Sequence, residues 1–119
     1  CREKGARVIA LTSVAAGKAI PSRHPSGKLL MDVADVVLDN CGCVGDASIE
    51  ISGVPEKVAP TSTAVGAAML NAIMGRAVEL IVERGEVPPI FMSANVPGGD
   101  EHNRDMLKRY KNHIFYMGH

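Results

Sequence analysis

The chain has 119 residues, 46% of them hydrophobic and 22% charged, with thirteen basic and thirteen acidic side chains and a formal net charge of zero. That length and composition suit one globular domain with a modest core and exclude a disordered chain. The balanced charge, and four aromatic residues that all lie late in the chain (Phe91, Tyr110, Phe115 and Tyr116), provide neither phosphate tracking nor base stacking, which excludes nucleic acid as a partner.

No uninterrupted apolar run is long enough to cross a bilayer, and no charged-then-apolar signal segment opens the chain. The expectation is a soluble, cytoplasmic protein with no membrane partner. The cysteines are Cys1, Cys41 and Cys43, an odd count unlike the framework of a secreted domain. Cys41-Gly42-Cys43 has the form of half a metal site, but no second ligand pair stands at a suitable spacing, so neither a metal nor a cofactor is expected. The opening residues, Cys-Arg-Glu-Lys-Gly-Ala, read as the polar tail of a helix already under way, with Lys4 and Gly5 at its end, so a segment upstream of Cys1 is expected.

Residues 7–12 (Arg-Val-Ile-Ala-Leu-Thr) form a short, nearly all-apolar run, as expected of a parallel strand covered on both faces, and its carboxyl end is Thr12-Ser13. Residues 14–27 are small and polar and read as a loop, after which Ser26 can cap a short helix over 28–34. Arg23, His24 and Lys28 make a basic group that either touches a phosphate or is solvated. Residues 35–40 (Asp-Val-Val-Leu-Asp-Asn) repeat the pattern of a buried strand. Ligands of open α/β sheets sit beyond the carboxyl ends of the strands, which positions Asp39 and Asn40 to face one, although Asp-Asn is equally a turn pair.

Residues 42–48 read as a flexible link, because their Gly-x-x-Gly-Asp lacks the Lys-Ser or Lys-Thr of a P-loop. Residues 48–52 alternate polar and apolar, as a half-exposed or edge strand does, with Glu50 solvated. The stretch that organises the chain follows, over residues 56–71. A β-like piece at 57–59 meets Pro60, and Thr61-Ser62-Thr63 then opens the longest apolar-periodic segment. Unpaired N–H groups in the first turn of that helix, with the positive end of its dipole, form a ready site for an anion or a polyol.

The helix carries Val65, Ala68, Met69, Ala72, Ile73, Ala77, Leu80 and Ile81 at spacings of three and four, so one broad face is buried. Gly66 and Gly75 are costly inside it, which points to close approach of the backbone to a neighbour. Gly85 ends it, Val87-Pro88-Pro89 directs an extended path into 90–94, and Asp100 can cap a last helix over 101–111 with Met106, Leu107 and Tyr110 inward. His102 and Asn103 either enter a site from that helix or serve as capping and surface groups.

Residues 5–13, then 30–40, then Val58-Ala-Pro-Thr-Ser-Thr63 leading into a helix, resemble the third, fourth and fifth strands of a SIS (sugar isomerase) domain. Gly-Asp-Ala at 45–47, Pro-Thr-Ser-Thr at 60–63, Pro-Pro-Ile-Phe-Met-Ser-Ala-Asn at 88–95 and His-Asn at 102–103 resemble a branch of uncharacterised bacterial SIS proteins assigned to phosphosugar isomerases. The likeness covers nearly the whole chain and rests on the order and spacing of its motifs.

The resemblance implies an α/β fold, a flavodoxin-like three-layer αβα sandwich around a parallel sheet, of which residues 1–119 would be the C-terminal part of a single domain. It also implies a phosphorylated monosaccharide bound at the strand carboxyl ends, and a homodimer or higher homo-oligomer. The family's phosphate is held mainly by loops after the first two strands, which are absent here. Ala59, Pro60, Thr61, Ser62 and Thr63 correspond to its sugar-contacting turn, and Ser13, Asn40, Asn71 and Asn103 complete the ligand-binding candidates.

Aldose–ketose isomerisation needs a base that shuttles a proton between adjacent carbons and a group that assists ring opening. Phosphoheptose-isomerase relatives place Glu and His in the helix after the fifth strand, where this chain has Ala-Val-Gly-Ala-Ala-Met-Leu-Asn at 64–71. Asn71 can bind but cannot act as a base, and Glu101 and His102 are the catalytic candidates left in this chain. Two functions stand open: a phosphosugar isomerase or related lyase, or a phosphosugar-binding or sensing module without chemistry. A generic Rossmann-like domain ranks last, because no dinucleotide glycine fingerprint follows either strand.

Overall fold

The computed structural model describes residues 2–113. Two compact units divide the chain, Cys1–Gly75 and Arg76–His119. Cys1, Phe115 and Tyr116 lie outside the described residues; the polar opening next to Cys1 forms a single 3-10 turn, Arg2–Lys4, followed by Gly5 at φ 74°.

The first unit is built on two parallel strands, β1 (Ile9–Thr12) and β2 (Val36–Asp39), in the register Ile9 to Val36, Ala10 to Val37, Leu11 to Leu38 and Thr12 to Asp39. At its start the Val8 N–H donates to the Asp35 carboxylate at 2.8 Å, and at its end the Thr12 carbonyl accepts from the Asn40 N–H at 3.0 Å. Parallel strands need a crossover of a dozen or more residues. Residues 13–35 supply it and contain two short helices, α1 (Val14–Ala19) and α2 (Leu30–Val33).

The first of these helices lies where the composition suggests a loop. Ser13 is the reason: its hydroxyl accepts from the Ala16 N–H at 3.1 Å, and the alanines behind it favour the helix once that cap is made. The second is shorter than the expected 28–34. Ser26 does not cap it, since its hydroxyl shares a 2.8 Å hydrogen bond with His24 Nδ1, and the Leu29 N–H donates instead to the Asp32 carboxylate at 2.7 Å.

β3 (Ala47–Ile49) and β4 (Val58–Pro60) form a second, antiparallel pair, with Ala47 opposite Pro60 and Ile49 opposite Val58. Glu50 is solvated as expected and makes an exposed ion pair with Lys57 at 2.8 Å. The long helix α3 (Ser62–Glu83) begins directly after β4 and runs through the boundary between the units. In the first unit Ala10 is 2% exposed, while Ile9 is 63% and Val36 47% exposed, although parallel strands are normally covered on both faces.

α3 is apolar nearly all round, with Val65, Leu70, Ile73, Met74 and Val82 exposed. By length and composition alone it is long enough and apolar enough to cross a membrane, a property shared by helices buried between layers. Asn71 and Arg76 interrupt it, and Arg76 holds both Glu79 and Glu83 at 2.9 Å.

In the second unit, Gly85 at φ 77° closes the end of α3, where its N–H donates to the Val82 carbonyl at 2.8 Å. The expected extended stretch 90–94 joins no sheet among the described residues. α4 (Gly99–Tyr110) starts one residue ahead of the proposed Asp100 cap, after Gly98 in the left-handed conformation. A side-chain carbon at Gly99 would run into the Ser93 carbonyl, so only glycine fits there. Asp100 and Glu101 in the first turn, and Lys108 and Arg109 in the last, complement the helix dipole, and Met106 is buried.

Candidate functional site

The carboxyl ends of β1 and β2, the loop after β2 and the start of α3 enclose an open cleft of 530 Å³ in the first unit. Its walls include Thr12, Ser13, Asn40, Asp46, Ser62 and Thr63, with Gly42 and Gly45 providing space. Ser13, Asn40, Asp46 and Ser62 are each held by a side-chain hydrogen bond.

Ser13 works twice. Besides capping α1, its hydroxyl donates to the Gly42 carbonyl, which ties the end of β1 to the loop that follows β2. Asn40, just past β2, is 7% exposed; its N–H donates to Thr12 and its Oδ1 accepts from the Gly42 N–H at 3.1 Å. With the amide orientation set in this way, Nδ2 has no partner among the described residues, at the wall of the cleft. No buried side-chain polar atom among the described residues lacks a partner, so this Nδ2 is reached by solvent and can be offered to an acceptor. Asp39, beside it, is occupied: its carboxylate accepts from the Val14 N–H at 3.0 Å and the Cys41 N–H at 2.9 Å, which hold its pKa below the ordinary carboxylate value.

Asp46 closes the other side of the local network. Gly45 at φ 85° and Asp46 at φ 65° both take the left-handed conformation, and the turn brings the Asp46 carboxylate onto the start of α3. Oδ1 accepts from the Ser62 N–H at 2.8 Å and the Thr61 N–H at 3.1 Å, and Oδ2 accepts from the Ser62 hydroxyl at 2.6 Å. The Ser62 hydroxyl above all, and then the backbone N–H groups of Ser62 and Thr61, hold the Asp46 carboxyl below its ordinary value despite partial desolvation. The first turn of α3 therefore already carries an anion from its own chain.

No family model matches the chain. A UPF0309 protein of Geobacillus thermodenitrificans is 48% identical over 113 residues, which is 95% of this chain and 45% of that protein. A UPF0309 protein of Shouchella clausii is 45% identical over 116 residues, 98% of this chain and 47% of that one. A third, from Listeria innocua, is 42% identical over 117 residues, again 98% of the chain and 47% of the relative. The chain is similar to UPF0309 proteins. It spans about half the length of these relatives.

Of the residues singled out in the sequence, Ser13, Asn40, Ser62 and Thr63 line the cleft, and Thr61 stands beside them with its hydroxyl on Asp46 at 3.3 Å. Ala59 and Pro60 lead into this corner through β4 but do not line it; Ala59 has a φ of 61°, and its carbonyl accepts from the Ser48 hydroxyl at 3.2 Å. Asn71 lies more than two turns into α3, exposed and away from the lining.

The remaining candidates belong to the second unit. Asn103 holds Met92 from both sides of its peptide, Oδ1 accepting from the Met92 N–H and Nδ2 donating to the Met92 carbonyl, each at 2.8 Å. His102 Nε2 donates to the Ile90 carbonyl at 2.9 Å, and Glu101 is exposed. These side chains of α4 take the place of a neighbouring strand for Ile90 and Met92. Arg23 is exposed, while His24 and Lys28 border a separate hollow of 300 Å³. Cys41 and Cys43 are exposed free thiols, and Cys43 borders the cleft.

Sequence reasoning missed Thr12, Gly42, Cys43 and Asp46. Gly45-Asp46 carries a usable signal, because a glycine followed by an aspartate tolerant of the left-handed conformation can turn a carboxylate toward a helix start. The partner lies sixteen residues away, so the dipeptide alone does not name it.

Proposed function

We propose that the cleft binds the sugar portion of a phosphorylated monosaccharide, within a larger protein of SIS type that acts as an aldose–ketose sugar-phosphate isomerase. The observation that carries this reading is Asn40, a residue 7% exposed that lines the cleft with Ser13, Thr12 and Thr63 and whose Nδ2, reached by solvent, has no partner among the described residues. Such a wall recognises hydroxyl and carbonyl oxygens, and convergent polar groups in a concave site are what a small polar ligand requires. The parallel pair β1–β2, with polar residues at its carboxyl end, supports a ligand placed as in open α/β sheets. In this reading the phosphate is held outside the cleft, since the start of α3 is taken by Asp46.

A binding or sensing module without chemistry is the second reading, and two observations favour it. Asp46 has both oxygens engaged and is held ionised, which makes it a poor shuttle for a proton, and His102 spends Nε2 on the Ile90 carbonyl. Homo-oligomerisation belongs to the same proposal, because Ile9, Val36 and Val37 of the parallel pair are exposed.

The test is a thermal-shift screen of the protein against hexose, N-acetylhexosamine and heptose phosphates beside their unphosphorylated sugars. A ligand that binds only the folded state raises the melting midpoint by mass action, by about 2.7 kcal/mol of stability at a hundredfold excess over Kd. Stabilisation by a sugar phosphate that Asn40→Ala abolishes supports the site, and interconversion of the bound sugar separates isomerase from binding module. No stabilisation by any of these sugars sinks the proposal.

A further inference from the structure

Negative charge is attracted to the start of a helix by the unpaired N–H groups of its first turn and by the dipole. At α3 that attraction is spent within the chain, because the Asp46 carboxylate accepts from the Thr61 and Ser62 N–H groups and from the Ser62 hydroxyl. Among the described residues no Lys, Arg or His lines the cleft, and the one formal charge in its lining is that of Asp46. Asn40, 7% exposed and lining the same space, nevertheless offers its solvent-reached Nδ2, unpartnered among the described residues, to an acceptor oxygen. A donor wall with a fixed negative charge and no cation suits an uncharged oxygen and disfavours a carboxylate or phosphate oxygen.

We infer that Asp46 is the specificity-determining residue of the cleft, turning away a ligand end that carries a carboxylate or phosphate and admitting one that carries hydroxyl, aldehyde, keto or acetamido groups. This rests on the sugar-phosphate reading above. The charged phosphate stays outside, the neutral end enters, and a sugar oxidised to an acid at that end is rejected. Asp46 acts here through its charge: like charges brought close together in a partly desolvated cleft repel far more strongly than they do in water. Ser62 and Thr61 position that charge.

The experiment is calorimetric titration of the protein with glucose 6-phosphate and with 6-phosphogluconate, which differ at the first carbon by an aldehyde against a carboxylate. The native protein binds the aldose phosphate at least about tenfold more tightly than the aldonate, equivalent to about 1.4 kcal/mol. Asp46→Asn, which keeps an acceptor for the Ser62 N–H, closes most of that gap by strengthening the aldonate. Ser62→Ala, which removes one contact to the carboxylate but not the charge, leaves the gap open. Equal affinities in the native protein overturn the inference, as does a gap that Asp46→Asn leaves unchanged. If neither these ligands nor any other sugar phosphate binds, the sugar-phosphate reading itself fails and this inference falls with it, a result distinct from binding without discrimination.

Discussion

Leu11 and Gly66 meet where β1 passes under α3: a side-chain carbon on Gly66 would stand 3.2 Å from Leu11 Cδ2. Gly75, further along the same helix, has nothing within 4 Å of that position. The two glycines therefore separate under substitution. Gly75→Ala raises stability by about 0.5–1 kcal/mol through helix propensity alone. Gly66→Ala is close to neutral, since the same gain is offset by the displacement of Leu11, and Gly66→Leu loses about 1–3 kcal/mol by overpacking. Chemical denaturation of the three variants reads the order directly, and an equal response at both positions would show that the helix does not rest on Leu11.

Acid stability is set in part by Asp46 and Asp39, whose folded pKa values both lie below the ordinary value of 3.8. A carboxylate with a depressed folded pKa contributes stability that is fully present above its unfolded pKa and is lost as pH falls through the folded one. The melting midpoint is accordingly flat with respect to these two groups from about pH 7 to pH 5 and falls below about pH 4. Asp46→Asn lowers the midpoint at neutral pH by several degrees and makes the acid limb shallower. Melting curves across pH check both signs, and an acid limb that keeps its slope in this variant would remove Asp46 from the account.

Asn103 is expected to behave as a clamp. Asn103→Ala loses about 1–2 kcal/mol, the net worth of two hydrogen bonds to Met92. Asn103→Asp is worse than alanine, because a carboxylate oxygen then faces the Met92 carbonyl where an amide had donated. Hydrogen exchange at the Met92 N–H speeds up in Asn103→Ala, which removes its acceptor. Unchanged exchange there would mean that α4 does not hold the stretch 90–94.

Ala59 sits at φ 61° immediately before Pro60, a conformation that costs an L-residue about 1–2 kcal/mol. Ala59→Gly relieves that strain and gains roughly 0.5–1 kcal/mol net of the added freedom of the unfolded chain, whereas Ala59→Val loses a similar amount. Thermal unfolding of the pair tests this, and a loss of stability with glycine would contradict it.

The strands β1 and β2 and the start of α3 were legible in the residues because each is a local pattern: a short apolar run, or a hydroxyl group ahead of an apolar period. Four cleft residues followed from the same logic, since Ser13 and Asn40 close the strands and Ser62 and Thr63 open the helix. What stayed hidden were bonds between distant positions. Asp46 reaches Ser62, Ser13 reaches the Gly42 carbonyl, and Asn103 reaches Met92, and no local period records such pairings. Helix α1 was missed for a related reason: six residues are too few for periodicity to show, and a single serine cap decides between helix and loop. Asn103, read as a ligand contact, and His102, read as a catalytic candidate, are engaged by the backbone of their own unit.

The bond from the Val8 N–H to the Asp35 carboxylate, with the Asp35 and Val36 N–H groups donating to the Val8 carbonyl, helps to set how far one strand is drawn along the other. Side chains alternate between faces, so a slip of one residue would send Leu11 to the far side and shift Ser13 by about 3.3 Å against Asn40. Ser13 would then lose the Gly42 carbonyl, and Gly66 would lose the contact it leaves room for. An aspartate at the opposite end of the strands from the cleft thus helps to align the cleft's two lips.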